Sequence, residues 1–461
     1  MTVRMIPRKD AGYYPLHPEE PPAPLGIENQ EPSLFTTRYM PLRKIVVMID
    51  GKMIRERRRE ESEAVHLLRW QLGNENVRFY SYPGCMDYLP YRDGKSLIPY
   101  AEVLGTRNDD IRASLTAGML GVDFYVTERR RLLRERRWLN AVNSHYPPPE
   151  APSYAPEEAA ALIGLYLRAQ GDFALPGEAK PMTSPQARSR FYAVGALSVM
   201  PALTNWRRVR AGDGEEDPLI TRASSLARTV QERLEGALAQ RDLAQMALRR
   251  SDDLTANFEI FGRLDSCLQL LMGALDASAR LAHLILGHKI GMDVVGPAHN
   301  VAWHRGKWLK ALERHYPGLF GLIAPNTSGW HTMTILRLLR NTIHAESLST
   351  RTSGYATHWG EHSPMLKLSA EPESELRETL DSIADGDWPP GHSRPGDLVH
   401  PGELLEGLFL RVVRLLDILA TTIPIHEHEG IARLLDREEA LPYRYTEMCS
   451  LHLGVTPAGG S

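Results

Sequence analysis

A short run rich in β-branched residues, KIVVMIDG (44–51), sets the first constraint on the fold. A continuous apolar run ending in Asp-Gly reads as a buried strand with a loop at its carboxyl end. VRFYSYPG from Val77 and GVDFYVT from Gly121 have the same character. The text around them is helical: 55–72, DIRASLTAGML (110–120) and ERRRLLRERRWL from Glu128. Alternating strand and helix predicts a small α/β domain with a largely parallel sheet. The stretch NSHYPPPEAPSYAPEE (143–158) breaks this rhythm, although Pro156 suits the first turn of a following helix. Beyond it the text is helical, with no strand of comparable quality. The expected fold is mainly α with an N-terminal α/β domain. Its expected parts are an extended arm at 1–40, the α/β domain at 41–142, a helical connector at 143–250 and a helical domain at 251–461. Long helices are expected near 254–286, 332–348 and 404–421.

Charge and cysteine content narrow the class. A net charge of -3 carries no global signal for nucleic acid or membrane, so any such surface must come from local clustering. Cys85, Cys267 and Cys449 are too widely spaced for a C-x-x-C metal site or a disulfide framework, which fits a reducing cytoplasm. The arm is rich in proline and charge and lacks the apolar core of a secretory signal. No uninterrupted apolar stretch approaches the ~18 residues of a membrane span, so no membrane partner is expected.

LRLLRNTIHAES (336–347) combines an apolar face with a reactive one. With His344 at zero on a helical wheel, Arg340 falls at about -40°, Arg337 at about +20° and Asn341 at about +60°. Ile335, Leu336, Leu338, Leu339 and Ile343 fall on the opposite side. Such a stripe has the chemistry to cut RNA without metal. Histidine exchanges a proton near neutral pH, and a guanidinium stabilises charge on a phosphate. Asparagine orients either partner, and the 2′-hydroxyl is an internal nucleophile that DNA lacks. An ordinary amphipathic helix carrying Arg and His on its solvated side has the same pattern.

LRLLRNTIHAE resembles the signature of the HEPN superfamily, and ALDASARLAHLILG upstream is similar to the family's helix that packs antiparallel to the signature helix. The resemblance covers about 252–420. It implies a helical bundle that forms a homodimer, with a composite Arg/His site that cleaves RNA without a cofactor. Catalytic residues would be Arg337, Arg340, Asn341 and His344. Arg337 has the family's spacing to His344, with six residues between, while Arg340-Asn341 resembles the family's Arg-polar pair but leaves three residues before the histidine. Both arginines therefore remain candidates. Family analogy adds a bacterial defence or toxin–antitoxin setting. A non-enzymatic RNA-binding or scaffold protein, dimerising through the helical domain, is the main alternative.

A second constellation lies at the N-terminus. Ligands gather at the carboxyl ends of strands in an open α/β sheet. Asp50 closes the first strand, Asp110 opens a helix and Glu128 follows the third strand, so these carboxylates are candidate ligands for Mg²⁺ or Mn²⁺. VVMID followed by NDDIRASLTAGMLGVDFYVTERRRLL resembles PIN-like and NYN-like nucleases over about 44–140. One departure is that Arg129 stands where those families usually place an acid. Arg129, Arg130 and Arg134 in the run RRRLLRERR are candidate RNA contacts or a solvated helix face. His426 and His428 are two apart, which would suit metal on a strand. His283 and His288 are expected to interact with helix C-terminal carbonyls, and Trp303, Trp308 and Trp330 to be core or interface aromatics.

Overall fold

The computed structural model describes residues 44–51, 53, 62–82, 88–90, 97–99, 113, 116–117, 122–129, 133, 153–176, 185–210, 217–248, 254–292, 294, 301–304, 306–345, 350–353, 363–367, 375–383, 398–425, 431 and 446–455. The expected arm, Asp110, Arg130, Arg134, His426 and His428 lie outside the described residues, as does the side chain of His344. The chain is mainly α with a small N-terminal α/β part, as expected. It divides into two compact units, 1–183 with 249–251 and 447–455, and 184–248 with 252–446 and 456–461.

The first unit is built on a parallel sheet of strands β1 (Ile45–Asp50), β2 (Val77–Tyr82), β5 (Phe124–Val126) and β6 (Ser153–Tyr154), in the order β2-β1-β5-β6. A separate antiparallel pair is formed by β3 (Tyr88–Pro90) and β4 (Leu97–Pro99). Ile45, Val47, Met48 and Ile49 are fully buried, which is why β1 reads as a continuous apolar run rather than an alternating one. β1 pairs Ile45 with Val77 on one side and Val47 with Phe124 on the other. β6 lies inside the stretch expected to be a break. Its two residues extend the sheet through β5, and Thr127 N donates to Tyr154 O. Helix α2 (Pro156–Ala169) follows, with Pro156 in its first turn and Glu158 Oε2 accepting from Ala155 N. It packs on α1 (Glu63–Gln71). This helix belongs with the sheet, so the unit extends past residue 142.

The last described helix of the chain, Thr446–Leu453, also joins this unit through His452. A Cβ on Gly164 would lie 2.3 Å from the His452 carbonyl oxygen, so only glycine allows this approach. Arg168 Nη1 donates to the same carbonyl at 2.7 Å. The His452 ring is buried edge-on to Trp70, and its Nδ1 lies 2.9 Å from Gln71 Nε2. Burial first, and the charge of Arg168 second, push the ring well below the ordinary histidine range. A neutral ring accepts the Gln71 amide proton, whereas protonation would set two donors face to face.

The second unit is a helical assembly. Helices α3 (Pro185–Val199), α4 (Leu203–Arg210), α5 (Pro218–Leu248) and α6 (Leu254–Ala282) are followed by a π-helical turn, His283–Gly287. Next come α7 (Gly306–His315), α8 (Pro317–Ile323), α9 (Ser328–Ala345), α10 (Glu375–Ser382) and α11 (Pro401–Thr422). The Thr446–Leu453 helix of the first unit is α12. The antiparallel strands β7 (Thr350–Ser353), β8 (Ser363–Lys367) and β9 (Leu398–Val399) add a small sheet after the break, shorter than β1 in every strand. Each holds five residues or fewer, too short for a period to emerge. The segment Glu259–Gly287 is long and apolar enough to cross a membrane by composition, but 78% of its apolar 18-residue window is buried inside the chain.

A buried charge network ties α5 to α11. Arg241 places Nε and Nη2 each 2.7 Å from Glu406 Oε2, and Gln245 Nε2 donates to Glu406 Oε1 at 2.7 Å. Asp242 Oδ1 lies 3.5 Å from Arg241 Nη1, and Tyr192 Oη donates to Asp242 Oδ2. Burial pulls the Arg241 guanidinium toward neutrality. Glu406 and Asp242 outweigh it, so the pKa is held above its ordinary value. His283, directly after the last residue of α6, is 8% exposed and edge-on to Trp308. Trp303 is buried and donates from Nε1 to Ser278 Oγ.

Two outcomes follow from these contacts. Unfolded, His452 takes up a proton near the ordinary value of about 6.5, while folded it resists protonation. The native state then binds fewer protons, so this contribution to stability is intact above about pH 6.5 and is lost as pH falls toward the lowered folded pKa. Urea midpoints should fall more steeply below that pH in the wild type than in His452→Asn, and parallel curves would contradict it. Arg241→Met leaves Glu406 and Asp242 without their cation and should cost about 3–5 kcal/mol in urea unfolding. A change within error would show that the network does not hold the unit.

Candidate functional site

Helix α9 carries the stripe singled out by sequence, and its position is fixed from its first turn. Asn326 adopts φ 67° in the turn before it, and Thr327 Oγ1 accepts from Trp330 N at 3.2 Å, a side-chain cap on an otherwise orphan amide. Gly329 permits close approach to α8, because a Cβ there would lie 2.2 Å from Leu322 O. Arg411 of α11 is 5% exposed, and its Nη2 donates to Ser328 O and Oγ at 3.2 and 3.1 Å. Arg411 Nε donates to Thr332 Oγ1 at 3.1 Å. Met333, Ile335, Leu336 and Leu339 form the buried face.

The opposite face borders a cavity of about 270 Å³. Arg337, Arg340 and Asn341 of α9 all line it, so three of the four expected catalytic residues come together at one opening. The backbone of His344 continues the same helix, one turn beyond Arg340. Across the cavity, α6 contributes Met272, Asp276 and Arg280, spaced four residues apart and so on one side of that helix. The segment before α7 adds Val301, Ala302 and His304. Three guanidiniums and an imidazole thus face one carboxylate. Asp276, Arg280 and His304 escaped the sequence reading. The available signal was an Asp and an Arg at i, i+4 in an otherwise apolar stretch, LMGALDASARLA.

The two candidate arginines differ in their engagements. Arg337 Nη2 lies 2.7 Å from Glu375 Oε1 of α10, an ion pair with side chains 35% and 61% exposed. Among the described residues Arg340 has no ion-pair partner. Among the described residues the buried Arg280 Nε atom has no hydrogen-bond partner. The cavity wall therefore holds cationic donors that the described side chains do not saturate.

The N-terminal constellation is arranged differently. Asp50 is 7% exposed at the carboxyl end of β1, and Arg129 Nε lies 3.3 Å from its Oδ2. The Arg129 guanidinium also sits 5.6 Å from the Tyr82 ring centroid. Arg129 thus reaches across to the Asp that closes the first strand. Glu128 is exposed. Asp123 Oδ2 accepts from Val46 N at 2.7 Å, which fixes β1 against the turn before β5. Among the described residues no cluster of three or more His, Cys, Asp or Glu is placed to hold a metal ion. No protein-family model matches this chain, and neither the curated proteins nor the solved structures yield a match.

Proposed function

We propose that this chain is a metal-independent endoribonuclease with a HEPN-like helical domain, active as a homodimer. The observation that supports it is the convergence of Arg337, Arg340 and Asn341 on one cavity, beside the helical turn that carries His344. In this reading the RNA 2′-hydroxyl attacks the adjacent phosphorus while His344 takes its proton. Negative charge grows on the non-bridging oxygens, where a guanidinium is worth most. The P–O5′ bond breaks and the departing 5′-oxygen takes up a proton from water, giving a 2′,3′-cyclic phosphate and a 5′-hydroxyl end. Arg340 is the arginine favoured for the phosphate, because Arg337 already pairs with Glu375. Asn341 orients the phosphate or the histidine.

The test is cleavage of mixed RNA by purified protein, with and without EDTA. Cleavage should survive EDTA, and His344→Ala should reduce it by about 100-fold or more. Arg340→Ala should cost a similar factor, with Arg337→Ala less affected. Loss of cleavage in EDTA and in Asp50→Ala would move the chemistry to the N-terminal carboxylates and overturn the proposal. A folded dimer that binds RNA without cutting it would favour the scaffold alternative.

A further inference from the structure

We infer that the cavity between α6 and α9 is a phosphoryl-binding subsite completed within a single chain, with Arg280 as a phosphate ligand beside Arg340. This deepens the ribonuclease reading and rests on it only for identifying the phosphoryl group as part of RNA. Arg280 and Arg340 come from two helices that pack against each other, so their separation is set by the core of one unit rather than by a partner copy. Three guanidiniums lining one small cavity repel each other unless an anion lies among them. Asp276, and Glu375 at Arg337, offset only part of that charge. Among the described residues the buried Arg280 Nε has no hydrogen-bond partner, and a donor left so is costly until an acceptor arrives.

Shape points to the same ligand. A volume of about 270 Å³ exceeds that of a bare tetrahedral anion and leaves room for an attached sugar. Met272 and Ala302 are buried and supply apolar wall against sugar carbons. Asp276 offers an acceptor for a ribose hydroxyl, and His304 a further polar contact. The class of ligand is therefore a nucleotide unit gripped by its phosphate.

Isothermal calorimetry tests this with inorganic phosphate and, separately, mixed 5′-ribonucleoside monophosphates, at constant ionic strength set with chloride. The protein is diluted until sedimentation shows single chains. Both probes should bind, the monophosphates more tightly. Arg280→Gln and Arg340→Gln should each weaken both by at least about tenfold. Arg280→Lys should recover part of the loss, since it keeps the charge but not the fork. Thermal melting checks each variant, and Arg340→Gln carries the test if Arg280→Gln does not fold. Wild-type affinity for phosphate in folded Arg280→Gln, or binding only by dimers, would overturn the inference while leaving cleavage to be judged separately. Arg280-dependent phosphate binding by a protein that cuts no RNA would keep the subsite and discard the ribonuclease.

Discussion

Glu406, largely shielded from solvent, and the buried Arg411, five residues apart on α11, are the charges through which α11 engages its neighbours in the helical unit. That spacing turns them about 140° from one another, so they address different neighbours. Glu406 receives Arg241 and Gln245 of α5, and Arg411 grips Ser328 and Thr332 of α9. Each interaction takes charge out of water, and a buried charge without its partner is worth several kcal/mol of destabilisation. A shift of α11 along either neighbour would leave such a charge uncompensated. The two contacts therefore act on register more than on net stability.

The orientation of the candidate site follows from this. Arg411 holds the first turn of α9, and the apolar face behind it fixes rotation about the helix axis. Arg337, Arg340 and Asn341 are left facing the cavity without being chosen for packing. The exposed Arg337–Glu375 pair limits α10 only weakly, since pairs of that exposure contribute little in water. An incoming phosphate can compete with a carboxylate for Arg337, whereas at Arg340 among the described residues it has no carboxylate to displace.

Legibility in the sequence tracked period and burial. β1, β2 and β5 were readable because their residues are apolar without interruption, and α9 because its buried and polar faces separate cleanly. β6 to β9 were not, because strands this short are defined by partners far along the chain and not by their own pattern. The return of α12 to the first unit rests on one glycine contact and two side chains, Arg168 and Gln71, separated from His452 by hundreds of residues. The α9 half of the cavity was legible, whereas for α6 the helix was expected opposite but its cavity residues, Asp276 and Arg280, were not. Periodicity identifies a face within one helix, but it does not say which face of another helix lies opposite.

Even so, α6 carried a physical reason for its half. It is a largely buried helix, apolar enough by composition to pass for a membrane span, yet it bears Asp276 and Arg280 four residues apart. Charged side chains are almost never fully buried unless paired, so a core helix that carries them must turn that side toward an opening or a partner. Here the opening is the cavity, and its far wall is the polar stripe of α9. Two helices, each amphipathic for its own packing reasons, thus leave their polar sides facing each other across space the core cannot fill. Cationic groups held apart by that packing need no rearrangement to receive an anion, which is the condition under which electrostatic stabilisation is strongest.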